Sequence, residues 1–217
     1  PAQQERVNIY FKEVILPVLT PLALDPRHPF PHISNLSLNL AIVVKDKQGN
    51  EKFARLKMPD TLPRLLPVKR SSGGAKRDGT YPQHHYFVWL EQVIAANLAD
   101  LFPGLTVTAA YPFRIIRDAD IEIQELEADD LLENMQQSIR KRKFGSVVQV
   151  AIEDSMPAHI RYLLVENLEI NHNDLYVLKS PLGLVHLWQL YNSVEKHDLK
   201  YPPYTPVVPK NLRVLDT

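Results

Sequence analysis

The densest positive charge in the chain is the run Arg140, Lys141, Arg142 and Lys143. It can attract a phosphate polymer by Coulomb attraction and by the fork geometry of its guanidinium groups. The same cations in the last turn of a helix also complement the helix dipole and face solvent, so the cluster alone does not decide between a ligand and a solvated end. A second candidate is FRIIRDAD, where Arg114 and Arg117 are followed by Asp118 and Asp120. Side chains on a strand alternate with a period of two, so these arginines point to opposite faces and grip one ligand only if a bulge intervenes. Asp118 and Asp120 share a face and can hold a magnesium ion through waters, although surface carboxylates more often pair with nearby Arg or Lys. His84 and His85 have the residue type of a general base or phosphoryl acceptor, but no carboxylate stands at a fixed spacing from them. His28 and His32 lie in a proline-rich stretch. Neither their spacing nor that of His159, His172, His186 and His197 matches a metal motif. The chain carries no glycine-rich phosphate loop, serine-nucleophile elbow, zinc-protease helix or zinc-finger spacing.

The elements that must position these residues can be read from pattern. Val7, Tyr10, Phe11, Val14 and Ile15 follow the helical period, and Pro17 is expected to end that helix. Pro17, Pro21, Pro26, Pro29 and Pro31 then fix too many φ angles for helix or central strand, which predicts a rigid extended loop. Leu36 to Val44, a turn through Gly49, and Lys52 to Lys57 predict a β-hairpin. Lys69 to Gly79 is polar and glycine-rich and reads as a mobile surface loop. Helices are predicted from Leu90 to Leu101, from about Ala128 to Lys143 with Gly145 as its cap, from Pro157 to Leu164, and within Leu182 to Tyr191. Strands are predicted over Thr106 to Arg117, Val147 to Ile152 and Leu175 to Leu178. The alternation predicts an α/β or α+β sandwich around a mixed sheet, followed by a proline-rich extended tail.

Composition bounds the partners. At 217 residues and 45% apolar, the chain suffices for one generous domain. Twenty-five Lys and Arg balance 25 Asp and Glu, so no whole-chain field favours nucleic acid and any anion site must be local. The absence of cysteine leaves no disulfide framework and no thiolate chemistry, in keeping with a reducing compartment. No stretch has the length of an apolar membrane span. The lack of an initiator methionine and the proline-rich end suggest a segment cut from a longer chain.

The stretch YFKEVILPVLTPLALDPRHPFPHISNLSLNLAIVV closely resembles the start of the middle domain of polyphosphate kinases. FRIIRDADIEI, RKRKFGSVVQVAIEDSMP and DLKYPPYTPVVP then follow in that family's order. The resemblance implies an α+β fold, a mixed sheet flanked by helices and similar to a phosphohistidine phosphatase. It implies a middle (head) domain over residues 1–197 and a connector over 198–217. It also implies a parent enzyme that transfers the terminal phosphate of ATP reversibly to polyphosphate, through a phosphohistidine and with Mg2+. The family's catalytic histidine lies in a carboxyl-terminal region and its nucleotide-base contact in an amino-terminal domain. None of the eight histidines here therefore takes the catalytic role, and the segment alone is expected to be inactive and to bind neither ATP nor Mg2+. Its implied partners are its own flanking domains, a second copy of the parent and polyphosphate, with no nucleic acid. The implied location is cytoplasmic or peripheral to a membrane. Arg114, Arg117, Asp118, Arg140 and Arg142, with Gly145, fall in the family's motifs as tunnel-wall, structural or interface candidates. Two other readings stay open: a stand-alone phosphohistidine phosphatase-like enzyme using His84 or His85, and a pure interaction domain.

Overall fold

The helical spacing of Val7, Tyr10, Phe11 and Ile15 is realised in the computed structural model as helix α1 (Ala2–Tyr10). A wider turn at Phe11–Ile15 and a tight one at Leu16–Val18 continue it. Pro17 does not end this helix. It falls in the first turn of the tight segment, where a missing N–H costs no bond, and the chain turns extended only at Leu19. Phe11 and Ile15 are wholly buried, worth about 1.5–3 kcal/mol each by transfer from water. The structure describes residues 2–23, 30–68, 86–118, 145–179, 181–194 and 197–207. The expected loop at Lys69 to Gly79 and the expected helix from Ala128 to Lys143 lie outside the described residues.

Eight described strands follow: β1 (Leu22–Ala23), β2 (Leu38–Lys45), β3 (Glu51–Lys57), β4 (Leu65–Pro67), β5 (Phe87–Trp89), β6 (Thr106–Arg117), β7 (Val147–Glu153) and β8 (Leu175–Leu178). Six form one sheet in the order β1-β3-β2-β6-β7-β8, while β4 and β5 pair separately. Every neighbouring pair of the large sheet is antiparallel except β7 and β8. Parallel pairing needs a crossover, and helix α3 (Ala158–Asn167) supplies it; helix α2 (Leu90–Ala96) precedes β6 and helix α4 (Leu187–Ser193) follows β8. The sheet is therefore mixed and the fold α+β.

The β2–β3 turn is set by one side chain. Asp46 Oδ1 accepts the backbone N–H of Gln48 (3.0 Å) and of Asn50 (2.9 Å), and Gly49 takes a φ of 85° that suits a residue without Cβ. Strand β2 explains the layering. Leu38, Leu40, Ile42 and Val44 join a core with Phe11, Ile15, Leu90, Val93 and Ile94, whereas Ala41 and Val43 join a second core with Phe113, Ile115, Ile160 and Leu164. A strand buried on both faces reads as a continuous apolar run rather than an alternating one. Helices α1 and α2 thus cover one face of the sheet and α3 the other.

Candidate functional site

Strand β6 carries the FRIIR motif through the middle of the sheet, and period-two geometry sends its arginines apart. The ladder does contain an irregularity here: Ile116 faces Gln149 while Arg117 faces Val147. The extra residue, Val148, belongs to β7, so the alternation of β6 from Phe113 to Arg117 is kept and the bulge does not bring Arg114 and Arg117 together.

On the α1/α2 face, the side chain of Arg114 lies against Gly183 and Arg64: a Cβ built on Gly183 would meet Arg64 Nη1 at 3.2 Å and Arg114 Cδ at 3.4 Å. Gly183 has a φ of 64°, so glycine answers both the close approach and the backbone there. Arg64 is the hub. Its Nε donates to Glu91 Oε2 (3.1 Å) and its Nη2 to Glu91 Oε1 (2.6 Å), a bidentate pair with side chains 5% and 11% exposed. Nη1 donates to the carbonyls of Leu182 and of Gly183 (3.0 Å for the latter), and the guanidinium stands 4.8 Å over the Trp89 ring. Burial and the field of Arg64 push the Arg114 pKa down. Burial, then Glu91 and Asp154, raise that of the Glu153 carboxyl, with Arg64 opposing. His186 is held below its ordinary value by burial first, then by Arg64, with Glu91 opposing. These groups make a balanced cluster of both signs.

Nearby, the Gln189 side chain imitates a strand: its Oε1 accepts the Leu65 N–H (3.0 Å) and its Nε2 donates to the Leu65 carbonyl (2.7 Å). Helix α4 is held to β4 through this polar contact and buries none of its residues. Leu184, Val185, Leu187, Trp188 and Tyr191 are left exposed around it, and beyond them Leu199, Tyr201, Tyr204 and Val207.

On the α3 face, Arg117 is committed to backbone. Its N–H donates to Asn35 Oδ1 (2.8 Å), its Nε to the Ile33 carbonyl (2.7 Å) and its Nη1 to the Gly145 carbonyl (2.8 Å). It thus ties the end of the proline-rich segment to the start of β7. Asp118 is exposed, and its N–H donates to the Ser146 carbonyl (2.8 Å). Gly145 is needed for that approach, since a Cβ there would stand 1.9 Å from the Asp118 carbonyl oxygen. Farther along this face Arg55 Nε donates to Asn39 Oδ1 (2.8 Å), both residues buried.

The remaining candidates Arg140, Arg142, Asp120, His84 and His85 lie outside the described residues. Sequence reasoning missed Arg64, Glu91, Arg55 and Asn39, because partners 27 or 16 residues apart leave no local spacing. The available signal was a lone charge in an apolar frame: Arg55 in FARL, Arg64 in LPRLLP and Glu91 in VWLEQVI.

Comparison with known proteins supplies the context for this architecture. The family model for the polyphosphate kinase middle domain matches residues 2–190. The chain is similar to polyphosphate kinase 1 of Chlorobaculum tepidum, 44% identical over 205 residues, covering 94% of this chain and 29% of that protein. It is similar to a polyphosphate kinase of Aphanizomenon baltica at 46% identity, covering 98% of this chain and 55% of that sequence. The crystal structure of polyphosphate kinase from Porphyromonas gingivalis shares the fold with a TM-score of 0.68 at 21% identity, over 100% of this chain and 29% of that one. The chain therefore spans less than a third of the Chlorobaculum protein and of the solved structure. With a matching family model over most of its length and close relatives of the same kind, the chain belongs to the polyphosphate kinase family and corresponds to its middle domain.

Proposed function

We propose that this chain is a docking and scaffolding unit within a polyphosphate kinase whose phosphoryl transfer takes place in domains outside it. In that reading the parent enzyme passes the terminal phosphate of ATP reversibly to polyphosphate, by way of a histidine in a carboxyl-terminal domain. Mg2+ would supply charge neutralisation there. Among the described residues no three His, Asp or Glu side chains gather as a metal ion requires, so no step is assigned to a metal held here. The domain would run over residues 1–197, with 198–217 as a connector, in a cytoplasmic enzyme. No described helix is long and apolar enough to cross a membrane.

One observation carries the scaffolding role: the apolar surface of α4 and the residues around it. Trp188 is 62% exposed and Val185 63%, on a segment that polar contacts hold in place. A contiguous apolar surface of this kind marks an interface. Its occupant would be a flanking domain of the same enzyme or a second copy. Trp188→Glu combined with Val185→Glu in the parent enzyme is expected to lower the oligomer mass, or to loosen the domains, by sedimentation and limited proteolysis. The helix content of the domain should stay unchanged. Unaltered assembly and proteolysis would refute the docking role.

Arg114, Arg117, Asp118, Arg140 and Arg142 are proposed to line the polyphosphate path or a domain interface. The test is polyphosphate binding over a salt series, since each lost phosphate contact lowers the salt slope. Replacing Arg140 and Arg142 together by alanine is expected to weaken binding severalfold and flatten that slope, with Arg117→Ala acting in the same direction. A folded chain that binds no polyphosphate leaves scaffolding as its role.

A further inference from the structure

Helix α4 and the tight turn before it, Leu184–His186, bury none of their residues. The chain that leads into them is fixed. Leu182 is 1% exposed within the α1/α2 core, and Arg64 Nη1 donates to its carbonyl and to that of Gly183 (3.0 Å for the latter). Beyond Gly183 the hold is slight. The turn closes on itself through the His186 N–H and the Gly183 carbonyl, the Ser193 hydroxyl donates back to the Leu190 carbonyl, and Trp188 packs edge-on against Tyr191. Among the described residues, the hydrogen bonds that join α4 to the body of the domain are the two between the Gln189 side chain and the backbone of Leu65 (3.0 and 2.7 Å).

Strand β4 offers a single place for that hold. The Arg64 carbonyl accepts the Leu90 N–H (2.7 Å) and the Val68 N–H donates to the Tyr86 carbonyl (2.8 Å), so the alternate positions 64, 66 and 68 face β5. Alternation turns the backbone of Leu65 to the outer edge. The outward positions on either side of it are Pro63 and Pro67, which have no N–H. One side-chain amide therefore satisfies the one outward N–H of these three positions.

An element that buries no residue and is held by two neutral hydrogen bonds belongs to the low-stability end of a fold, where local opening precedes global unfolding. Gly183, at a φ of 64° between the fixed Leu182 and the turn, is the residue able to absorb a rotation there. We propose that residues 184–193 form an arm that pivots at Gly183 and is latched to β4 by Gln189, opening and closing while the sheet stays folded. Opening releases the Leu65 N–H and carbonyl to water and redirects Trp188 and Val185, which are already exposed. Lys200 Nζ stands 4.6 Å over the Tyr191 ring, a contact that links the start of the following extended segment to the arm. Arg64 marks the fixed end, because the guanidinium that takes the Leu182 and Gly183 carbonyls is itself held by Glu91. The inference concerns how α4 is held, and stands whether or not its apolar face is an interface.

The test is native-state amide hydrogen exchange of the 217-residue chain, followed residue by residue by NMR. The Leu65 amide is expected to exchange at least about a hundredfold faster than that of Ile42, a fully buried residue of β2. Its rate should depend little on low urea, because opening the arm exposes little new surface. Ile115→Val, which leaves a small cavity in the core of the α3 face, should speed exchange at Ile42 severalfold and leave Leu65 unchanged. Gln189→Ala should speed exchange at Leu190 and Tyr191 of α4 by about tenfold, as the loss of one or two neutral hydrogen bonds gives, and leave Ile42 unchanged. A Leu65 amide that follows Ile42 in urea and in Ile115→Val opens only with the whole domain, and the proposal fails. Protection of α4 that is indifferent to Gln189→Ala removes the latch and equally overturns it.

Discussion

Glu91→Ala is expected to lower the free energy of unfolding by about 3–5 kcal/mol, the cost of leaving one partner of a buried ion pair uncompensated. The geometry puts this pair in that class. Both oxygens of Glu91 accept from Arg64, and both side chains are almost out of solvent. Removing the carboxylate strands a cation between the Leu182 and Gly183 carbonyls and the Trp89 ring, with Arg114 alongside. The loss should extend beyond α2, because Arg64 also fastens the loop that leads into α4. Urea unfolding measures the magnitude, and amide exchange at Leu65, whose N–H is held by Gln189, reports the loosening of α4. The double variant Arg64→Met with Glu91→Leu is expected to recover most of the stability, since an apolar pair of similar volume avoids the desolvation cost. A Glu91→Ala variant within about 1 kcal/mol of wild type, the size of a surface pair, would show that this pair is solvated.

Gly145→Ala should cost about 3 kcal/mol or more, at or beyond the upper end of ordinary overpacking. The added methyl would stand 1.9 Å from the Asp118 carbonyl oxygen and 2.9 Å from its carbon. Both are backbone atoms, so no flexible side chain can swing away. Relief requires moving the ends of β6 and β7 apart, which breaks the Asp118 N–H bond to the Ser146 carbonyl and the Arg117 bond to the Gly145 carbonyl. Faster amide exchange at Asp118, with the strands near Val150 still protected, would localise the damage to this corner. An alanine variant as stable as wild type would mean that the two chain ends do not approach each other this closely.

The family's FRIIR and RKRKFG motifs meet at that corner. Arg117 donates to carbonyls on both sides of it, which accounts structurally for its place in the motif. A role in contacting polyphosphate must then fall to the donors of Arg117 left over, or to Arg114, Arg140 and Arg142. The salt series separates these positions.

Local pattern carried much of this protein. The helix at Val7 to Ile15, the hairpin around Gly49, the strand from Thr106 to Arg117 and the strand at Leu175 to Leu178 were each legible, because apolar periodicity and turn residues act within a few positions. The opposite orientation of Arg114 and Arg117 was legible for the same reason, and the condition attached to it, a bulge, turned out to lie in β7. Pro17 was misjudged as a stop because its tolerance depends on which turn of the helix it occupies.

Charge pairing was not legible. Arg64 finds Glu91, Arg55 finds Asn39 and Gln189 finds Leu65 only after strands and helices distant in sequence have been brought together. By itself the sequence determined the elements, the alternation of β6 and, through motifs spread along the chain, the family. The tertiary structure decided which charges are buried and which groups they meet, because burial and Coulomb energy depend on distance in space, and sheet topology sets that distance independently of separation along the chain.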